Sequence, residues 1–300
     1  MIRRNTKIVA DSVNTAGGNR ITTFLLRYPR YIHSEFMTHR VFSRNSASSR
    51  AIPLKKFREE IVENPVMPIH WGANQKGMQA ANELNGEDLE NARYEWMNAR
   101  DDAVRVHEEM EKIGLHKQIS NRLLEPFMWI QTLCTATAYT NFFALRCHED
   151  AHPDIQALAD SMLEDYMLST PVPRDPGDWH LPFGDQELPS GLSVEDIVKI
   201  CTARAARLSY LNFEQKIDPE SDIRLHDKLK ESGHWSPFEH PAQALDMSRM
   251  SGNFCGWKPW RKFFPDEDRR VNLRELYDQR KKLKANGHAS IKEALLAAGA

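Results

Sequence analysis

The sequence predicts an α+β fold, and three observations predict it. Two short strand-like segments, KIVADSV and ITTFLLRY, flank a turn-forming stretch at residues 14–19. Residues 84–113 are rich in helix formers, and DLENARYEWMNARDDAVRVHEEMEKIG reads as one long helix. A further helix is announced by Ser193, whose hydroxyl can cap SVEDIVKICTARAARL above an acidic first turn.

The elements follow in order. Pro29 closes the second strand and can open a helix. YIHSEFMTHRVF then carries Ile32, Phe36, Met37 and Val41 at helical spacing. Residues 43–49 are polar and small, which reads as a loop. The helix of 84–113 is expected to end at Gly114 as its C-cap. A second long helix is expected over 116–146 despite Pro126, and a third from Pro153 through Met167. The stretch 171–190 is dense in Pro and Gly and reads as a linker or long surface loop. AQALDM reads as a strand, and 270–300 as an exposed helical tail. The organisation expected is therefore 1–170, a linker at 171–190, 191–265, and a tail at 266–300.

Composition bounds the class. The chain has 300 residues, 41% hydrophobic and 27% charged, enough to bury a substantial core in one or two domains. A formal net charge of −2 gives no global pull toward nucleic acid or anionic membrane, so a polyanion site must be a local cluster of Arg and Lys. Cys134, Cys147, Cys201 and Cys255 are widely spaced without a CxxC pair, which reads as free thiols in a reducing compartment. No run of about twenty apolar residues and no secretory h-region occurs, so a soluble cytoplasmic protein is expected.

Three constellations can carry chemistry. The first is His39-Arg40-x-x-Ser43-x-Asn45-x-x-Ser48-Ser49-Arg50, rich in the hydroxyls, amides and planar guanidinium forks that a phosphate site uses. Composition alone favours a solvated loop with helix-capping serines. The second is Ser232-Gly233-His234-Trp235-Ser236-Pro237-Phe238-Glu239-His240, a polar ligand-binding turn whose spacing matches neither HExxH nor a CxxC scheme. No metal is expected there. The third is Arg122 with Arg146, each expected on a helix in apolar surroundings; an arginine so placed pairs with a carboxylate or contacts an anion or base edge. GxGxxG, GxxxxGK[ST] and GxSxG motifs are absent, so Rossmann, P-loop and nucleophile-elbow chemistry have no support.

Together these blocks resemble the flavin-dependent thymidylate synthases, the ThyX family. The family's RHR-x7-S signature is matched by THRVFSRNSASSR, through His39, Arg40, Ser43, Asn45, Ser48 and Arg50. Its G-H-x-[ST]-P-F-E-H turn is matched by GHWSPFEH, its A-A-R-[VL]-S segment by AARLSY at 205–210, and its N-x-x-x-L-R region by NFFALR at 141–146, running on into AHPDIQALA. The arginine ahead of the family's LLP-like stretch is similar to Arg122 in NRLLEP. In the family the AARxS and SPFEH blocks come first; here they lie toward the C-terminus, which looks like a circular permutation. The likeness covers most of 20–165 and 195–250 and leaves 51–115, 168–190 and 251–300 unaccounted for.

The resemblance implies an antiparallel sheet packed with long helices, and FAD-dependent methylation of dUMP to dTMP with methylenetetrahydrofolate and NADPH as co-substrates. It implies a homotetramer with shared active sites, a pyrimidine deoxynucleoside monophosphate as ligand, and neither membrane nor nucleic acid as partner. Carried over by position, His39, Arg40, Val41, Asn45, Asn141, His234, Ser236 and Glu239 would lie around the flavin. Glu35, Ser46, Ser48, Ser49, Arg50, Arg122 and Arg146 would hold the nucleotide, with Arg146 and Ser48 acting at the reacting ring. The departures cluster at the nucleotide end: Thr38 for the first Arg of RHR, Glu35 for a Gln, Ser46 for an acidic residue, Ser49 for Gly and Ala51 for Tyr. A carboxylate at Glu35 can accept from an exocyclic amine, so dCMP is an alternative substrate, and hydroxymethyl transfer an alternative outcome. The other reading is an inactive relative that binds a nucleotide or nucleic acid. For this, Trp257-Lys258-Pro259-Trp260-Arg261-Lys262-Phe263-Phe264 offers rings and cations. A subunit contact or substrate lid is the favoured role of that stretch.

Overall fold

The predicted strand pair is a hairpin of two ten-residue strands, β1 (Asn5–Asn14) and β2 (Arg20–Pro29), antiparallel through its length with an irregularity between Ile8 and Ala10. The computed structural model describes residues 5–184, 188, 191–209, 218–268 and 272–285. After Pro29 a 3-10 turn (Arg30–Ile32) leads into α1 (His33–Phe36), a single turn, so the helix expected through Val41 is short. Residues 43–49, expected as a loop, contain the edge strand β3 (Ser43–Ser46). Its Ser, Arg and Asn side chains carry little strand propensity, and pairing with a strong neighbour decides the matter.

That neighbour is the second departure from expectation. The helix anticipated over 116–146 is instead α4 (Lys117–Ser120), a 3-10 turn (Asn121–Phe127), strand β4 (Trp129–Ala136) and α5 (Thr140–Arg146). Pro126 lacks an N–H, and WIQTLCTA is a short apolar and β-branched run, which suits a buried strand. Between these stretches α2 (Leu54–Glu63) and α3 (Gly86–Lys112) form, the latter closed by Gly114 at φ 79° as expected. Helix α6 (Pro153–Leu168) follows, starting at the predicted proline.

The Pro/Gly-rich stretch carries β5 (Val172–Arg174) and β6 (Trp179–His180), so it is built into sheets rather than looping free over these residues. Helix α7 (Val194–Ala206) has Ser193 as its N-cap, the hydroxyl accepting from the N–H of Asp196. The chain goes on through α8 (Pro219–Glu231), the 3-10 turn Ser236–Glu239, β7 (Ala242–Ala244), β8 (Met250–Ser251), β9 (Phe254–Cys255), β10 (Trp257–Pro259) and α9 (Leu273–Ala285). Tyr210 of AARLSY and residues 286–300 of the expected tail lie outside the described residues.

The main sheet runs β3-β4-β2-β1-β5, antiparallel except for β1 with β5. Strand β2 is central and almost wholly buried, because both faces of the sheet are covered. On one face Phe24, Leu26, Ile130 and Cys134 pack against Phe142 of α5 and Ile155, Leu158, Ala159 and Met162 of α6. The last four sit at the i, i+3, i+4, i+7 spacing of one helix stripe. On the other face Leu25 and Leu133 meet Ala205, Leu208 and Phe183. Burying each such side chain contributes about 1.5–3 kcal/mol. A second, three-stranded sheet, β10-β7-β6, packs Trp257, Ala242 and Ala244 on Ile21 of β2.

Between the two sheets lies a buried polar chain. Ser12 Oγ bonds His180 Nδ1 at 3.0 Å, His180 Nε2 bonds Thr23 Oγ1 at 2.8 Å, Thr23 bonds Thr135 at 2.7 Å, and Thr135 bonds His240 Nδ1 at 2.8 Å. Both histidines are fully buried, and burial lowers each to a pKa of about 3. They are neutral in the fold, whereas the unfolded chain protonates them near 6.5. Their contribution is therefore complete above pH 6.5 and is lost as pH falls from there toward 3, by on the order of 1 kcal/mol per pH unit for each. Urea midpoints should fall between pH 7.5 and pH 5, a range in which most carboxylates stay ionised, and less steeply in His180→Gln. A flat profile in the parent protein would contradict this.

Candidate active site

The four-residue strand β3 divides the candidate residues between two faces. Its alternate side chains point to opposite sides of the sheet edge. Arg44 donates to the carbonyls of Phe36 (3.3 Å) and Met37 (2.9 Å), and Ser46 Oγ bonds Thr132 Oγ1 at 2.9 Å, all on the α1 side. Asn45 goes the other way, its amide donating to the carbonyl of Ala205 at the end of α7 (2.5 Å) and its Oδ1 accepting from Ser236 (3.2 Å). The motif and the SPFE turn, separated by 191 positions in the chain, therefore meet at this edge.

On the α1 side sits the most concentrated polar cluster. Arg146, the last residue of α5, donates from Nε to His39 Nε2 at 3.0 Å. Its other two nitrogens lie 3.4 Å from Glu35 Oε2 and 3.4 Å from Thr38 Oγ1. His39 is buried against Phe42 and Phe142. Burial, then the charges of Arg146 and Arg44, lowers its pKa to about 4, so the ring is neutral and can accept from the guanidinium. Helix α5 brings Arg146 here because Phe142 and Phe143 bury its other face in the core.

A third group forms around Glu125 in the 3-10 turn after α4. Its Oε1 accepts from the buried Ser49 (2.6 Å) and from Arg122 (2.5 Å), and Arg30 lies 3.7 Å from Oε2. The SSR loop is held from below. Asn121, fully buried, donates to the carbonyls of Ser49 (2.8 Å) and Ile52 (3.1 Å), and its Oδ1 is bonded to His107 of α3 at 3.0 Å. Helices α2 and α3, which sequence reasoning left without a role, pack Phe57, Ile61, Trp96 and Val104 on Leu124 and Phe127 and so fix this turn.

The sequence-derived candidates thus separate. His39, Glu35 and Arg146 come together, Asn45 joins Ser236, and Ser49 joins Arg122 through Glu125. Ser46 faces Thr132, which bonds Tyr28, which in turn bonds His33. Ser48 sits half-buried at the N-cap of the 3-10 turn Ser49–Ala51. Arg40, Val41, Arg50, Asn141 and His234 are exposed, and His234 lies 3.4 Å from Ser232 Oγ. Glu239 is not brought to these groups; it accepts from Arg261, which also bonds Glu267, and Lys262 pairs with Glu267 as well. Sequence reasoning missed Glu125, Arg30, His33 and Arg44. The spacing of Arg122 and Glu125 at i, i+3 was the available signal for the first.

The aromatic and basic stretch around Trp257 is engaged internally. Trp257 is fully buried, Trp260 donates to His226 Nε2 at 3.1 Å, and Phe264 packs on Trp235, Phe238 and Trp260. With Arg261 and Lys262 paired to carboxylates, little free positive charge is left for a polyanion. Among the described residues no group of acidic, histidine or cysteine side chains is placed to hold a metal ion, all four cysteines are free thiols, and no helix is long and apolar enough to cross a membrane.

Comparison with known proteins adds the following. The family described as Thy1, thymidylate synthase complementing protein, matches over residues 19–172. Among curated proteins none matches. Among solved structures, a UMP/dUMP methylase PolB from Streptomyces cacaoi bound with 5-Br UMP is similar at 17% identity and TM-score 0.43, covering 55% of this chain and 89% of that one. The same methylase bound with 5-Br dUMP is similar at 15% identity and TM-score 0.45, covering 55% and 90%.

The buried amide of Asn121 is the hub of the loop beneath the candidate site. Asn121→Ala would remove one donor from the carbonyls of Ser49 and Ile52 and the partner of His107 Nε2, a loss of about 2–3 kcal/mol. The urea midpoint should drop accordingly and hydrogen exchange at Ala51 and Ile52 should accelerate. Asn64→Ala, at the exposed end of α2, should do neither.

Proposed function

The chain belongs to the thymidylate synthase complementing protein family, and from that premise we propose that it transfers a one-carbon unit to C5 of a pyrimidine deoxynucleoside monophosphate, the family's dUMP-to-dTMP reaction being the type. The observation that carries the reading is the cluster at Arg146. Two motifs far apart in the chain, THR at 38–40 and the NFFALR helix end, meet there through the Arg146–His39 hydrogen bond. A guanidinium held by a neutral imidazole can stabilise negative charge that develops on a pyrimidine ring, because its position is fixed before the reaction begins.

The remaining groups fit the other parts of such a ligand. Arg50 is exposed and has no ion-pair partner among the described residues, so it is available to phosphate oxygens. Ser48 stands beside Arg50 at the 3-10 turn Ser49–Ala51, where backbone N–H groups can join them, while the buried hydroxyl of Ser49 is committed to Glu125. No cysteine nucleophile is required of this scheme. Cys134 is buried beneath the sheet with its pKa pushed up to about 12 by burial, and Cys147 is raised to about 11. Neither is a thiolate at neutral pH.

FAD fits the edge where β3 meets the SPFE turn. Asn45 and Ser236 are adjacent, and Arg40, Val41 and His234 remain open to solvent on the same motifs. An unpaired arginine beside exposed backbone is the donor set that a dinucleotide pyrophosphate needs. The flavin, when bound, would supply reducing equivalents for the methyl group, with NADPH and methylenetetrahydrofolate as co-substrates. The chain's own residues then position and polarise. Because the Asn45–Ser236 and Arg146–His39 groups lie on opposite faces of the sheet edge, a homotetramer with sites completed across subunits suits this arrangement.

Tritium release from [5-³H]-labelled dUMP and dCMP, with FAD, NADPH and methylenetetrahydrofolate, tests the reading. Release is expected, together with a flavin absorbance spectrum in the protein as purified. Arg146→Ala should lower turnover by about 10²–10³-fold. Retention of full activity by that variant would remove Arg146 from the reaction.

A further inference from the structure

We propose that the pair Glu35–Arg146 reads the Watson–Crick edge of cytosine, so that the nucleotide accepted at this site is a cytidine rather than a uridine deoxynucleotide. The inference rests on the C5-transfer reading above and specifies its base.

The argument begins with which donors Arg146 has left. Nε is committed to His39 at 3.0 Å. The two terminal nitrogens are held only loosely, each 3.4 Å from its neighbour. The hydroxyl of Thr38 already donates to the carbonyl of Glu35 at 2.7 Å, so it offers Arg146 a lone pair and no competing proton. Glu35 lies beside the first terminal nitrogen, with its side chain 38% exposed against 20% for Arg146. In sequence along this rim the site presents donor, donor and acceptor: one terminal N–H group by Thr38, the other by Glu35, then the Glu35 carboxylate.

The two pyrimidines answer that row differently. Cytosine presents O2 as acceptor, N3 as acceptor and the 4-amino group as donor, which pairs at all three places. The guanidinium fork would take O2 and N3 as two parallel hydrogen bonds, and the carboxylate would accept from the amine. Uracil presents acceptor, donor and acceptor. Its N3–H would face an N–H of Arg146, and its O4 would face the carboxylate, so two of three places are mismatched. A site that hydrogen-bonds a substrate group rejects an analogue lacking it because its own buried polar atoms are left unpaired. Two mismatches should separate the bases by about tenfold to a hundredfold or more. The carboxylate also offsets part of the Arg146 charge, weakening the pull on a developing O4 oxyanion that uracil chemistry would use.

The test compares kcat/KM for tritium release from [5-³H]dCMP and [5-³H]dUMP, for the full chain and for Glu35→Gln. The expected result is at least a tenfold preference for dCMP in the parent protein. In Glu35→Gln, whose amide can turn to accept from the amine or to donate to O4, the preference for dCMP over dUMP should shrink at least tenfold, chiefly by a gain for dUMP. A folding defect lowers both substrates alike and cannot imitate this change of ratio. A parent preference for dUMP, or an unchanged ratio in Glu35→Gln, would overturn the proposal while leaving C5 transfer intact. If neither nucleotide releases tritium, the C5 reading fails, and calorimetric binding of dCMP and dUMP still decides the base: tighter dCMP upholds the assignment, and equal or reversed affinities end it.

Discussion

The four-residue pairing of β3 with β4 is the constraint on which the candidate site depends. Ser43, Arg44, Asn45 and Ser46 stand opposite Thr135, Cys134, Leu133 and Thr132. A slip of one residue would turn Asn45 toward α1 and Arg44 toward α7, exchanging the contacts of both faces. The partner strand makes such a slip costly, because β4 is buried on both sides and its register with β2 runs from Thr22↔Ala136 to Pro29↔Trp129. The precision of a half-buried, polar edge is thus inherited from an apolar strand that carries none of the candidate residues.

The same dependence explains what was legible in the sequence. The hairpin, the long helix α3 with Gly114, the start of α6 at Pro153 and the Ser193 cap are local features, each decided by residues close in sequence, and the structure has them. Strands β3 and β4 are decided by pairing. SRNS contains nothing that reads as strand alone, and WIQTLCTA between helical neighbours gives an apolar run that helix and strand share. At the site, THR and NFFALR were recognisable as motifs, but the bond between His39 and Arg146 was not, because the two were expected on different ligands and meet only through the packing of α5 on the core. Glu125 was invisible as a functional group because its role as counter-ion to Arg122 and Arg30 comes from tertiary placement.

The buried histidines follow a different logic. His180 and His240 hold two sheets together through hydroxyls of Ser12, Thr23 and Thr135, and all these groups are neutral. Neutral hydrogen-bonded groups can be buried without the desolvation penalty of an ion pair. Some charge is buried as pairs, as in Arg204–Asp222 with each side chain 8% exposed, but Arg146, Arg122, Arg30 and Arg261 each meet a carboxylate at or near the surface. Polarity within the fold specifies register, and polarity at the rim is left adjustable.

That distribution has a consequence for how a nucleotide would lie. A pyrimidine nucleotide is an anion at one end and a neutral ring at the other. The compensated pair Glu35–Arg146 has little net charge and offers directional donors and an acceptor, which suits a neutral ring. Arg50, exposed and without an ion-pair partner among the described residues, offers net charge with little directional constraint, which suits phosphate. The Glu125 group is intermediate: Arg122 and Ser49 are donors, yet the carboxylate between them would repel a dianion brought close. A phosphate near Arg122 must therefore approach from the Arg50 side of the loop or displace Glu125 from its partners. The chain's net charge of −2 adds no general attraction, so this local arrangement has to supply both the affinity and the orientation.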